Sequence, residues 1–285
     1  MHRYAKPRSV EEALSLLGAG EWRVLAGGTD FYPAQGVRPI REAILDIGGL
    51  GELRGIAHEG AYWRIGATTS WSDVARAALP TAFSALHEAA REVGSVQIQN
   101  TATVAGNLCN ASPAADGVPP LLVVDAEVEL RSVRGSRQVP LADFILGNRR
   151  TVRAPDELVT AVLVPDTSLG GRSAFVKLGS RRYLVISIAM AAARVELDAL
   201  GRIANAAIAV GACSAVAKRL SGLERALVGL RPCTVRDLVA AAELAELSPI
   251  DDVRASASYR RDGAREIVAR AIGLACQASG EARAA

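Results

Sequence analysis

The stretch Gly94-Ser95-Val96-Gln97-Ile98-Gln99-Asn100 runs into Thr103-Val104-Ala105-Gly106-Asn107 and then into Asn110-Ala111-Ser112-Pro113-Ala114-Ala115-Asp116. From Gly94 to Pro120 small and amide residues replace any long apolar period, a composition poor for a core helix or strand and suited to a binding loop. A second glycine loop lies upstream. Arg23-Val24-Leu25-Ala26 reads as a short strand feeding Gly27-Gly28-Thr29-Asp30. Glycines at a strand end let backbone N–H groups turn toward a phosphate with no Cβ in the way, and Thr29 adds a hydroxyl donor. Either loop taken singly also reads as an ordinary turn, with Asn107 and Asn110 bonding their own backbone. Two such loops in one half of a chain can clamp a pyrophosphate from both sides, with Asp116 placed for ribose or adenine hydroxyls.

The flanking sequence is patterned more conventionally. Ser9-Val10-Glu11-Glu12 forms a capping box ahead of Ala13, Leu14, Leu16 and Leu17, predicting a first helix closed by Gly18 and Gly20. Ala43 to Ile47 and Tyr62 to Ala67 read as strands, Ser70 as the N-cap of a helix through Ala78, and Pro80 as the start of a helix reaching Glu92. Apolar patterning resumes at Leu121 to Ala126 and Val128 to Leu130, and Glu157 to Val164 reads as a strand closed by Pro165. The segment Pro165 to Gly171 is the best linker. Beyond it, β-rich runs at Ser173 to Leu178, Ile186 to Leu197 and Ile203 to Val210 precede helical stretches around Arg219 to Val228, Val235 to Leu247 and Ser256 to Gln277. That order predicts an α+β domain with helices on one face of its sheet. Residues after Ser279 are expected to fray.

Composition narrows the function. The chain has 285 residues, 50% hydrophobic, 22% charged and 4% aromatic, an ordinary globular balance with enough length for two or three domains. Cys109, Cys213, Cys233 and Cys276 lie far apart, with no C-x-x-C and no histidine at ligand spacing, so neither zinc nor a self-contained iron–sulfur cluster is expected. Reduced thiols in the cytoplasm are. The start Met1 to Pro7 lacks an apolar h-region, and the run Leu184 to Ala193 is too short for a bilayer, so no membrane span is expected. The net charge of +3 rests almost wholly on arginine. Arg131, Arg134, Arg137, Arg149, Arg150 and Arg153 are spread without interleaved aromatics, which favours solvated faces or a subunit interface over nucleic acid.

No G-x-G-x-x-G follows a strand, no P-loop motif exists, and no G-x-S-x-G elbow is present. His2, His58 and His87 are expected in a terminus, a turn and a helix. They offer no base for a hydrolytic triad, so no catalytic residue is assigned.

Taken in order and spacing, Gly27-Gly28-Thr29-Asp30, the 94–107 stretch and Asn110 to Asp116 resemble the FAD-binding medium subunit of molybdenum hydroxylases, the xanthine dehydrogenase and carbon monoxide dehydrogenase type. The resemblance extends to Tyr4 to Leu17, to Phe175-Val176-Lys177-Leu178-Gly179 and to Ser258-Tyr259-Arg260-Arg261. It implies an α+β protein: a two-subdomain FAD-binding fold of the PCMH type (residues 1–57 and 58–168), then a C-terminal α+β domain (169–285) with a three-stranded antiparallel sheet and helices. It implies FAD held by Ala26, Gly27, Gly28, Thr29, Asp30 and Phe31 and by Ala102, Thr103, Val104, Ala105, Gly106 and Asn107. Asp116 matches an acidic residue near the adenosine half, and Lys177 a lysine whose charge would stabilise the reduced flavin.

By the same resemblance, the molybdenum cofactor and two [2Fe-2S] clusters belong to a large molybdopterin subunit and a small subunit, assembled as a dimer of heterotrimers. A stand-alone FAD-dependent reductase of the same fold and a flavin-less scaffold subunit are the alternatives. Two departures stand out. Ala105-Gly106 replaces two glycines, and Gln99-Asn100-Thr101-Ala102 replaces an arginine-bearing stretch. If position 105 needed a positive φ, the alanine would cost roughly 1 kcal/mol or more.

Overall fold

The structure, a computed structural model, describes residues 3–277. Ser9 caps the helix Val10–Ala19, its Oγ accepting from the Glu12 N–H at 3.1 Å. Val10, Ala13, Leu14 and Leu17 fall on one face at helical spacing and pack on Leu45, Ile47, Leu50 and Leu53. The helix thereby covers a small parallel sheet in which Ile44–Asp46 lies between Tyr4–Ala5 and Arg23–Leu25.

A five-stranded antiparallel sheet follows, in the order Ile56–Glu59, Tyr62–Gly66, Leu158–Pro165, Glu127–Ser132, Gly135–Pro140. The strand Ile56–Glu59 pairs with Tyr62–Gly66, so residues 56 and 57 belong with this sheet. His58 accordingly sits on a strand and not in a turn, its Nε2 2.9 Å from Asp166 Oδ2. Leu158–Pro165 is central and buried along nearly its whole length. Trp71, Phe83, Leu86, Leu108, Leu121 and Phe144 fill the core over the sheet.

The 94–120 stretch departs from its expected character. It forms three short helices, Val96–Thr101, Val104–Asn110 and Val118–Leu122, and Val104, Ala105, Leu108, Val118 and Leu121 are buried. Capping overrides composition here. Ser95 and Thr103 accept from the N–H groups of Ile98 and Gly106, and Pro119 occupies the first turn of the third helix, where its missing N–H costs nothing.

In the C-terminal region, Arg172–Leu178, Ala189–Leu197 and Ile203–Gly211 form an antiparallel sheet. It has four strands and not the expected three, because the two-residue strand Lys218–Arg219 pairs with Ala209 and Val210 at its edge. Alternation along Ala189–Leu197 explains its almost unbroken apolar run. Ala189, Ala191, Ala193 and Val195 face the helix Ala257–Ala275, while Met190 and Ala192 join the core of the preceding region. The sheet is thus buried on both faces, and its second face docks onto the rest of the chain. Among the described residues no helix is long and apolar enough to cross a membrane.

Candidate flavin cleft

A cleft of about 600 Å³ opens between the two glycine-containing segments, within the range of small-molecule sites. Ala26, Gly27, Gly28, Thr29, Asp30 and Phe31 line one side, and Ala102, Thr103, Ala105, Gly106 and Asn107 another. Two stretches far apart in sequence are therefore brought to one cavity. Of the twelve expected loop residues, only Val104 does not line it, being fully buried in the core.

The first loop leaves the strand Arg23–Leu25 and enters the short helix Phe31–Gln35. Gly28 has φ +70°, a conformation that L side chains rarely adopt. A Cβ on Gly27 would run into the Thr101 carbonyl, so the glycine permits the two segments to touch. Among the described residues, the N–H groups of Gly27, Gly28, Thr29 and Asp30 have no protein acceptor. Unbonded consecutive amides at a cavity are the feature an anionic ligand satisfies.

The second segment is a helix start and not a turn. Thr103 is the N-cap of Val104–Asn110 and forms a bridge with Ser70, and the Val104 N–H donates to Thr69 O at 3.0 Å. The Ala105 N–H, in the first turn, has no protein acceptor among the described residues. Ala105 lies within the helix and is not among the residues of positive φ, so the missing glycine carries no backbone strain. Asn107 and Asn110 are helical rather than turn-forming. Two polar atoms of lining residues, Asn107 Oδ1 and Trp71 Nε1, are buried without partners, and Asn107 Oδ1 lies against Gly117, which is not part of the cleft lining.

Asp116 and Lys177 do not line the cleft. They pair with each other: Lys177 Nζ lies 2.6 Å from Asp116 Oδ2, with side-chain exposures of 7% and 10%. Ser187 Oγ donates to the other carboxylate oxygen at 2.6 Å, and Lys177 also donates to the Glu92 carbonyl at 3.3 Å. Burial pushes the Asp116 carboxyl up, while the Lys177 ammonium and the Ser187 hydroxyl pull it back. The pair flanks the cavity, since Glu92 precedes the cleft residue Val93. Its geometry is that of a buried clamp.

Lining residues that the sequence reading did not assign to the site include Trp22, Arg23, Arg149 and Arg153. The last two belong with the short ribbon of Ile145–Gly147 and Arg150–Thr151, and the Arg149 N–H donates to Ala111 O at the end of the cleft helix. Their scattered spacing had pointed to solvated faces or an interface. Cys109 also lines the cleft, and burial pushes its thiol up to about 11. His87 is half-buried in the helix Ser84–Glu92, where burial holds its ring below the ordinary histidine value. His2 lies outside the described residues. Among the described residues no group of His, Cys, Asp or Glu is arranged to hold a metal ion.

A strand–glycine loop–helix turn of unbonded amides, facing a capped helix start across a cavity, defines a dinucleotide-type cofactor cleft. The family comparisons agree with that class. Residues 1–167 match the FAD binding domain in molybdopterin dehydrogenase, and residues 174–275 match the CO dehydrogenase flavoprotein C-terminal domain. The chain belongs to this family of FAD-binding subunits of molybdenum-dependent oxidoreductases. It is 32% identical over 271 residues to the nicotinate dehydrogenase FAD-subunit of Eubacterium barkeri, covering 92% of this chain and 91% of that protein. It is 31% identical over 283 residues to the carbon monoxide dehydrogenase medium chain of Hydrogenophaga pseudoflava, covering 95% and 96%. Among solved structures, a Cu,Mo-CO dehydrogenase chain superimposes with a TM-score of 0.89 at 28% identity, covering 96% of this chain and 97% of that one.

Proposed function

We propose that this chain is the FAD-carrying electron-transfer subunit of a cytoplasmic heterotrimeric molybdenum hydroxylase, passing electrons from the [2Fe-2S] clusters of a small partner subunit to an external acceptor. A large molybdopterin subunit completes the unit, and two such units pair. The observation that carries the reading is the row of acceptorless amides at Gly27 to Asp30, set on a cavity that the Thr103-capped helix start also lines. Those residues fit a diphosphate-linked cofactor, with the first loop and the Thr103-capped helix start holding the bridge.

When bound, FAD supplies the ability to take up electrons singly and release them singly or in pairs. The chain's own residues bind and orient it. Thr29 offers a hydroxyl donor, Gly28 keeps side-chain atoms off the loop surface, and Trp71 and Phe31 give the cleft apolar walls. Electron relay asks for no general base or nucleophile from the protein. Relatives named for nicotinate, carbon monoxide and xanthine all match at about 30% identity, which fits a substrate pocket carried on another polypeptide.

The test is to purify the complex from cells that also express the neighbouring subunits, release the bound flavin with acid and identify it. FAD at about one per chain is expected, bleached on adding the organic substrate and restored by an acceptor. A colourless preparation that cannot be reconstituted leaves only a scaffold role. Substrate turnover by this chain alone would identify a stand-alone reductase instead.

A further inference from the structure

Resting on that reading and deepening it, we infer that Arg149 and Arg153 form the cationic wall of the cleft and select a flavin that carries a diphosphate. Several arginines elsewhere in this chain are held by carboxylates. Arg64 grips Glu129, Arg137 grips Glu157, and Arg219 bridges Asp125 and Glu224. Arg23, which also lines the cleft, is paired with Glu42 at 2.8 Å and stacks over Phe31. Arg149 and Arg153 differ: among the described residues neither has a carboxylate partner, yet both line the cavity.

Arg153 is moreover held in place. Its Nη1 donates to the carbonyls of Glu157 at 2.7 Å and Ala154 at 3.0 Å, which fixes the guanidinium plane. Nε and Nη2 have no protein acceptor among the described residues. A guanidinium anchored through one nitrogen, with two donors left over, is pre-organised for a phosphate oxygen. The other charges on the wall leave this pair uncompensated, since Asp30 is the one carboxylate lining the cleft among the described residues. A diphosphate bears roughly two negative charges, so the match is one of charge as well as geometry.

The experiment strips flavin from the purified complex and titrates FAD, FMN and riboflavin into the parent, R149Q, R153K and the double variant R149Q/R153Q. Quenching of Trp22 and Trp71, both on the cleft wall, reads binding. Arg149 is solvent-exposed, so R149Q tests the charge without threatening the fold. FAD affinity should fall about tenfold in R149Q and about a hundredfold in the double variant, while R153K keeps most of it. Riboflavin affinity should stay within about twofold throughout, and the salt dependence of FAD binding should flatten in the double variant. FAD affinity unchanged in the double variant, or FAD and riboflavin weakened equally in R149Q, overturns the inference and returns both arginines to a subunit interface. Parent protein that binds none of the three flavins overturns the flavoprotein reading itself.

Discussion

Replacing Lys177 with methionine probes the clamp beside the cleft. At 2.6 Å the pair's gross attraction is about 6 kcal/mol at an effective dielectric constant near 20, most of which offsets the cost of taking both charges out of water. K177M removes that attraction and leaves a buried carboxylate with only the Ser187 hydroxyl, which should cost about 3–5 kcal/mol. The double variant D116N/K177M carries no uncompensated charge and keeps an acceptor for Ser187, so it should lie within about 1–2 kcal/mol of the parent.

A double-mutant cycle from urea unfolding, followed by far-ultraviolet circular dichroism, should then return a coupling of at least about 2 kcal/mol. The sign with pH follows from burial. Without Lys177 the Asp116 carboxyl is raised above its unfolded value, so its protonated form favours the fold at low pH and that support is lost as pH rises. The K177M deficit should therefore be larger at pH 8 than at pH 5. Additive single effects with a pH-independent deficit would refute the clamp. With its charge neutralised and its side chain off the cleft, Lys177 should also leave the flavin potential nearly unmoved. A clear fall in potential in K177M would restore the lysine to the flavin ring.

Three further outcomes are expected. A105G removes a buried methyl from a helix and should lower stability by about 1–2 kcal/mol while leaving FAD affinity within about twofold; tighter flavin binding would mean that the site needs glycine there. The Arg137 hydrogen bond holds the Glu157 carboxyl below the ordinary glutamate value of 4.5, so its support is full above that value and lost as pH falls through the depressed one. E157Q should thus be less stable than the parent at neutral pH and converge with it in acid, and a constant gap would exclude this linkage. Cys109, Cys213 and Cys276 are pushed up to about 11 by burial, whereas Cys233 is exposed, so iodoacetamide at pH 8 should modify one thiol quickly and C233S should abolish that phase.

What could be read from the sequence was set by local chemistry. Ser9 and Ser70 announce their helices because a hydroxyl acceptor ahead of an apolar period is a one-dimensional signal. The long C-terminal strands were legible for a similar reason, their continuous alanine and valine runs reflecting burial on both faces. The 94–120 helices were not, because each is short and its stability comes from a cap and from neighbours distant in sequence. Ala105 looked like a defect only while the segment was taken for a loop. The pairing of Asp116 with Lys177 and Ser187 depends on how the C-terminal sheet docks, which no local pattern encodes. Arg149 and Arg153 were visible as charges, but their lack of carboxylate partners is a property of the folded surface. The two-residue strand Lys218–Arg219 has no periodicity to detect.

The placement of charge ties the C-terminal region, which among the described residues contributes none to the cleft lining, to the segment that follows the cleft helix. Every lining residue falls between Trp22 and Val159. Besides its apolar face, the C-terminal region meets the rest of the molecule through cations: Lys177 binds Asp116, and Arg219 binds Asp125 at 2.7 Å and the Leu122 carbonyl at 2.9 Å. Arg194, 5% exposed, donates to the Val123 carbonyl at 2.8 Å. Acids and carbonyls from residues 116–125 thus meet bases from residues 177–219, directly after the helix whose first turn faces the cleft. Hydrogen-bonded charges of this kind have a narrow range of acceptable geometry, unlike an apolar contact, so the docked sheet fixes the 112–125 segment and through it the helix Val104–Asn110. Asp116 further ties both ends of the intervening stretch, Lys177 and Ser187, on which Tyr183, Leu184 and Ile186 are exposed. One buried carboxylate, close in sequence to the cleft helix, therefore also anchors both ends of an apolar surface loop.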